Sequence, residues 1–270
     1  MTTPQHSQAT DAAAGSVAIV TGAARGIGYG IARMLGERGY SVVLADILEA
    51  EVAQAAQQLA STGVRAIGVR CDVRSPSEVE SLLDAAYREF GHADCLVNNA
   101  AVIFNVPTPF LDVTVENFDR AMETNVRGVF LCSQRFAKRA IAAGRPGVII
   151  NISSASSEVA RPNNLQYQAS KAAINQMSRV IAIELAPYGF RVCVVAPGVV
   201  MTERETASMS DPVKQVQRRA QMDRIPLGRT GGVEEIASVV AFLASPEASY
   251  MTGAVLFVDG GYSLGIAKFT

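Results

Sequence analysis

The chain has 270 residues, 49% of them hydrophobic and 18% charged, and 24 basic against 25 acidic side chains leave a formal net charge of −1. So low a charged fraction excludes a disordered chain, and the even balance argues against nucleic acid or an anionic membrane as the main partner. Two histidines (His6 and His92) and four scattered cysteines without C-x-x-C pairing (Cys71, Cys95, Cys132 and Cys193) exclude a zinc site and a disulfide framework, so no metal is expected.

Residues 1–15 contain no Lys or Arg and no apolar core of a signal peptide, and read as a disordered tail. No apolar run is long enough to span a bilayer, so the expected location is cytoplasmic. From residue 16 onward, short apolar runs alternate with longer helical patterns. Strands are predicted over Val17–Thr21, Ser41–Asp46, 65–71, 93–98, Val148–Ile152, 191–195 and 254–258. Helical spacing covers 27–38, 49–61, 75–90, 115–143, 167–186 and Val233–Ala244. Ser75-Pro76-Ser77-Glu78 opens the third helix, with Ser75 as N-cap and Pro76 as first helical residue. Strands this continuously apolar are covered on both faces, and the alternation specifies an α/β fold with a doubly wound, seven-stranded parallel sheet. No composition shift divides it, so one domain is expected over 16–270. Residues 199–229 are the least regular and are expected to act as a substrate-binding lid, with a plain solvent-exposed helix as the equal alternative.

The first strand runs into Gly22-Ala23-Ala24-Arg25-Gly26-Ile27-Gly28 and then a helix. Glycines let the backbone approach a pyrophosphate, and the helix N-terminus supplies free N–H groups and a positive dipole end. Asp46 ends the second strand 18 residues after Gly28, where a carboxylate would accept from an adenosine ribose and repel a 2′-phosphate. Asp46 favours NAD over NADP; Arg25, a cation in the turn, pulls the other way.

Thr21-Gly22-x-x-x-Gly26-Ile27-Gly28, Cys71-Asp72-Val73 and Asn98-Asn99-Ala100-Ala101 resemble motifs of the classical short-chain dehydrogenase/reductase family, with Ala101 where the family has glycine. The resemblance runs from about Ser16 to Ser263 and implies a single Rossmann-fold domain. It also implies where the dinucleotide is held: Gly22, Arg25, Gly26, Ile27 and Gly28 around the phosphates, Asp46 and Ile47 at the ribose, Asp72 and Val73 at the adenine, and Asn98 and Ala100 at the sheet centre. Pro197-Gly198-Val199-Val200-Met201-Thr202 is similar to the family's nicotinamide segment, with Pro197, Gly198, Val200 and Thr202 as contacts.

Tyr167 and Lys171 stand four apart at the start of a helical pattern, which puts both on one face. A free phenol ionises near pH 10, roughly 0.1% at neutrality, so a neighbouring cation is needed to make it a base. The family's catalytic serine lies 13 residues before its tyrosine, which selects Ser154 over Ser153. Ser154 would stabilise charge on the reacting oxygen; no G-x-S-x-G surrounds it, so it is not a hydrolase nucleophile. Asn125 matches the family asparagine that distorts its helix and holds a water linked to the lysine. The catalytic set is therefore Asn125, Ser154, Tyr167 and Lys171, with Tyr167 and Lys171 also touching cofactor.

Glu158, Arg161, Asn163, Asn164, Gln166, Glu203 and Arg204 make the expected substrate pocket polar, pointing to a polyol, sugar or other small hydroxylated substrate. The alternatives are an NADP-dependent 3-oxoacyl reductase and a catalytically silent NAD-binding module. A homotetramer is implied by the resemblance alone.

Overall fold

The computed structural model describes residues 15–104, 106–202 and 222–265. The expected tail up to residue 14 with His6, most of the expected lid (203–221, with Glu203 and Arg204), and residues 266–270 lie outside the described residues.

Seven parallel strands form one sheet: β1 (Val17–Thr21), β2 (Ser41–Asp46), β3 (Ala66–Arg70), β4 (Cys95–Asn98), β5 (Val148–Ile152), β6 (Arg191–Pro197) and, last, Val255–Val258. Two short strands come before that last one: β7 (Val200–Met201) and β8 (Gly231–Gly232) pair with each other, and Val255–Val258 is therefore β9. The sheet order is β3-β2-β1-β4-β5-β6-β9, so the winding direction reverses between β1 and β4. The crevice above such a reversal, at the carboxyl ends of the strands, is where doubly wound sheets bind ligands.

The helices are α1 (Gly26–Glu37), α2 (Glu49–Ala60), α3 (Pro76–Phe90), α4 (Val115–Ala121), α5 (Gly128–Ala142), α6 (Leu165–Leu185) and α7 (Val233–Ala244). Strand residues alternate between two cores. Ala18, Val20, Val42 and Leu44 pack with Ile31 and Leu35 of α1, Leu59 of α2 and Val240 of α7. Val17, Ile19, Val43 and Ala45 pack with Leu82 of α3, Phe136 of α5 and Ala182 of α6. Ser75 caps α3 as expected, its Oγ accepting from Glu78 N–H at 3.3 Å.

Three expectations need correction. The single helix expected over 115–143 is two α-helices joined by a π-helical turn, Met122–Arg127, because Asn125 in its middle turns its amide to other backbone and side-chain partners. α6 begins two residues before Tyr167, so the tyrosine is the third helical residue, not the first. The described parts of 199–229 include β7, whose pairing with β8 periodicity did not signal.

One polar seam crosses the interior. Asn98 and Asn151 are register partners on β4 and β5. Asn98 Nδ2 donates to Asn151 Oδ1 at 2.8 Å and to Ser133 Oγ at 3.0 Å, and Asn151 Nδ2 donates to Ser178 Oγ at 2.8 Å. All four side chains are buried.

Candidate active site

The phosphate turn is closed by its neighbours on β4. Thr21 Oγ1 accepts from the N–H groups of Asn99 and Ala100, both at 3.1 Å. Asn99 Nδ2 donates to the carbonyls of Thr21 and Gly22, both at 2.9 Å. A Cβ on Gly28 would lie 2.1 Å from the Gly22 carbonyl oxygen, and one on Gly22 would lie 2.7 Å from Ala100 Cα. No side chain fits at either position, and the cradle stays open to backbone approach. Sequence reasoning quoted Asn99 but gave it no role; its signal is the strand-end Thr21, whose hydroxyl needs a partner across β1 and β4.

Asp46 is aimed back at this turn. Its Oδ2 accepts from Ala24 N–H and its Oδ1 from Leu48 N–H, both at 3.1 Å. Arg25 is the N-cap residue of α1 and its side chain caps nothing. Ala24, Arg25, Gly26 and Thr202 border a cavity of about 820 Å³ that extends over the outer faces of α1 and α2. Ser154, Tyr167 and Lys171 do not line it. Ile47 is exposed beside Asp46, whereas Asp72 is engaged locally by Arg74, with Nη2 to Oδ2 at 2.7 Å. The Arg74 hydrogen bonds hold the Asp72 carboxyl below the usual range against a burial effect of opposite sign. Val73 is buried against the start of α5, where a Cβ on Gly128 would meet its Cγ2 at 2.7 Å. The Asn98 amide belongs to the buried seam and not to the crevice.

Pro197 closes β6, and Gly198 lets the chain pass under the C-terminal turn, where a Cβ would lie 2.6 Å from Asp259 Cα. Val200 is paired with Gly231, and Thr202 follows at the edge of the phosphate turn, its Cγ2 3.8 Å from where a Gly26 Cβ would stand.

The catalytic side chains converge at the end of β5. Ser154 sits in extended backbone there, and its Oγ accepts from Ser156 N–H at 3.1 Å. Its hydroxyl faces the Tyr167 phenol and favours the ionised form. Burial pushes Tyr167 above its ordinary value of 10.0, and the Ser154 hydroxyl and the charge of Arg161 pull it back. Lys171 is 3% exposed, and its ammonium donates to the Ile152 carbonyl at 2.8 Å, 5.7 Å from the Tyr167 ring centroid. Burial brings it down to about 8. Among the charges that act on the phenol, that of Arg161 favours its ionised form. Ser153 Oγ donates to the Lys171 carbonyl at 2.9 Å.

Asn125 ties these parts together. Its Oδ1 accepts from Val102 N–H at 2.8 Å and its Nδ2 donates to Ser170 Oγ at 2.9 Å. Ser170 Oγ donates in turn to the Tyr167 carbonyl at 2.7 Å. Of the expected substrate-side residues, Glu158, Arg161 and Asn163 border a second cavity of about 450 Å³. Asn163 adopts the left-handed conformation, φ 66°, with its carbonyl accepting from Thr108 N–H. Gln166 is buried with its Oε1 unpartnered among the described residues, and Asn164 is the N-cap of α6. Among the described residues, no group of three or more His, Cys, Asp or Glu side chains is placed to hold a metal.

A hydroxyl facing a phenol at the end of one central strand, a lysine one helical turn on, and a dinucleotide-type turn after β1 define an oxidoreductase of the short-chain type. A family model described as enoyl-(acyl carrier protein) reductase matches residues 22–263. The chain belongs to the short-chain dehydrogenase/reductase family, whose members use NAD(P). It is 40% identical over 253 residues to cis-4-hydroxycyclohexanecarboxylate dehydrogenase of Sinomonas cyclohexanicum, covering 94% of this chain and 98% of that one. With glucose 1-dehydrogenase 2 of Bacillus subtilis it shares 37% identity, covering 93% and 95%. L-xylulose reductase of Bos taurus is 39% identical, covering 92% and 97%. The crystal structure of a short-chain type dehydrogenase/reductase from Mycobacterium marinum superposes with a TM-score of 0.84 at 35% identity, covering 93% and 96%.

Proposed function

We propose that this protein is an NAD-linked dehydrogenase that interconverts a secondary alcohol and a ketone, acting on a polyol, a sugar or a small hydroxylated ring. The observation that carries the reading is the convergence of Ser154, just past the carboxyl end of β5, on the Tyr167 phenol, whose ionised form its hydroxyl favours, with Lys171 buried one turn along the same helix. The relatives named for a hydroxycyclohexane acid, glucose and xylulose support the substrate class.

The residues fit the dinucleotide. Gly22 and Gly28 of the cradle have no room for a Cβ, and α1 starts at its rim with no side chain capping its N-terminus. Asp46 presents a carboxylate already oriented by two N–H groups, which favours ribose hydroxyls and opposes a phosphate there. When bound, the nicotinamide supplies the hydride acceptor in oxidation and the hydride donor in reduction. Ser154 donates a hydrogen bond to the substrate oxygen as charge develops on it. Tyr167 takes the hydroxyl proton in oxidation and returns one to the carbonyl oxygen in reduction. Lys171 would hold the ribose next to the nicotinamide, and Asn125, through Ser170, holds the first turn of α6 in place.

A homotetramer in the cytoplasm completes this reading. The exposed Phe130, Val180 and Ile183 on α5 and α6, and Phe242, Tyr250 and Phe257 near β9, offer two apolar faces for copies of the chain. All four cysteines are buried and unpaired, as a reducing compartment allows, and among the described residues no helix is long and apolar enough to cross a membrane. Light scattering is expected to return the mass of four chains, and a monomer at micromolar concentration contradicts it.

The decisive experiment follows reduced nicotinamide by absorbance with a panel of alcohols and both NAD and NADP. Turnover with polyols or sugars, lost by about 10²–10⁴-fold in Tyr167→Phe with dinucleotide binding intact, is the expected result. Dinucleotide binding with no turnover on any alcohol or ketone would mean a silent binding module.

A further inference from the structure

The loop between Ser154 and Tyr167 carries a cation that the reaction above leaves without a role. The Arg161 guanidinium lies on the ring of Tyr262, with Cζ 4.8 Å from the centroid, and its Nη2 donates to Ser156 Oγ at 2.9 Å. Its backbone is gripped at both polar atoms by one carboxamide. Arg161 N–H donates to Gln168 Oε1 at 2.8 Å, and Gln168 Nε2 donates to the Arg161 carbonyl at 2.6 Å. Gln168 is the residue after Tyr167, so this clip fixes the cation relative to the helical turn that carries the phenol. Ser156 completes the path, since its N–H donates to Ser154 Oγ, and the Ser154 hydroxyl faces the Tyr167 phenol and favours its ionised form.

We propose that Arg161 is a positioning residue of this reaction, a fixed cation that holds the Ser154 hydroxyl against the Tyr167 phenol through Ser156. The proposal rests on the dehydrogenase reading, and the geometry gives it a direction. With its N–H-facing lone pair occupied by Ser156, Ser154 keeps its proton for the phenolate. The guanidinium charge also favours that phenolate against the burial that opposes it.

Among the described residues, the other charges around Tyr167 are committed elsewhere or exposed. Lys171 on the same helix gives its ammonium to Ile152. On the π-turn packed against α6, Glu123 and Arg127 are exposed, and Glu123 acts on Arg74. On the C-terminal turn, Asp259 accepts from the Gly261 and Ser263 N–H groups, leaving the Tyr262 ring to face Arg161. Glu158 on the loop, and Asp223 and Arg224 beside Ile225, are exposed.

Titration of phenolate absorbance tests this without turnover. Subtracting the spectrum of the matching Tyr167→Phe protein isolates one phenol among seven tyrosines. Arg161→Met is expected to move the Tyr167 midpoint to higher pH, lowering the phenolate fraction at a fixed pH below it by about threefold. The alkaline dependence of kcat/KM moves the same way, with the KM for NAD unchanged. An unmoved midpoint in folded Arg161→Met overturns the proposal. If the methionine variant does not fold, Arg161→Gln decides, because it too removes the charge and the planar fork. A raised midpoint there supports the proposal, and an unmoved one overturns it. A KM increase confined to alcohols bearing a carboxylate, with the phenol titration unmoved, makes Arg161 a substrate anchor and overturns it too. Failure of the alcohol panel with wild-type protein would remove the dehydrogenase reading and leave the titration interpretable.

Discussion

Replacing Lys171 with methionine separates what the lysine does for catalysis from what it does to the fold. Burial alone brings the ammonium from 10.5 down to about 8. Between those two values the unfolded chain binds the extra proton and the native chain does not, so stability rises with pH across the window. Below the window the charge is buried at a cost of about 3 kcal/mol, at roughly 1.4 kcal/mol per pH unit. Methionine keeps most of the apolar stem and removes the charge. It also takes the donor from the Ile152 carbonyl, now served at 2.8 Å, which costs about 1–3 kcal/mol. The expected balance near neutral pH is a variant equal to wild type or up to about 2 kcal/mol more stable, with turnover abolished. Urea unfolding near neutrality and again above the window reads both parts, since wild type should gain on the alkaline side and close the gap. A variant less stable than wild type by more than about 2 kcal/mol near neutrality, or a gap that ignores pH, would refute the assignment of a desolvated charge.

Two further substitutions probe the cofactor end. Gly28→Ala drives a methyl against the Gly22 carbonyl oxygen, and is expected to cost about 1–3 kcal/mol and to abolish the rise in melting temperature that NAD gives wild type. Asp46→Ala releases the Ala24 and Leu48 N–H groups and removes the charge opposing a 2′-phosphate. The ratio of kcat/KM with NADP to that with NAD should increase tenfold or more, and an unchanged ratio would show that Asp46 does not set the preference.

Sheet, winding and turn were legible in the sequence because each rests on local chemistry. Residues 17–20 and 42–45 are unbroken apolar runs that only a two-sided core accepts, and the glycines after Thr21 have no other economical use. The convergence of Ser154, Tyr167 and Lys171 was legible only as spacing on a family pattern. What was hidden depends on contacts made in three dimensions. The family pattern implies a distorted helix at Asn125, but its partners Val102 and Ser170 are contacts that helical periodicity cannot register. The clip of Gln168 on Arg161 joins residues seven apart across an irregular loop. The ion pair of Asp72 with Arg74 two residues on is a pairing between neighbours that motif matching does not weigh.

The buried seam of Asn98, Asn151, Ser133 and Ser178 acts as a vernier for the whole molecule. Sliding β4 past β5 by one residue would strand the interlocked amides in an apolar interior, at about 1–3 kcal/mol for each unmatched group. Hydrophobic side chains tolerate such a slip far better, because one valine reads much like the next. Since the residues that brace the nucleotide turn directly follow β4 and the reactive serine follows β5, this alignment fixes the distance between the two halves of the crevice before any ligand arrives.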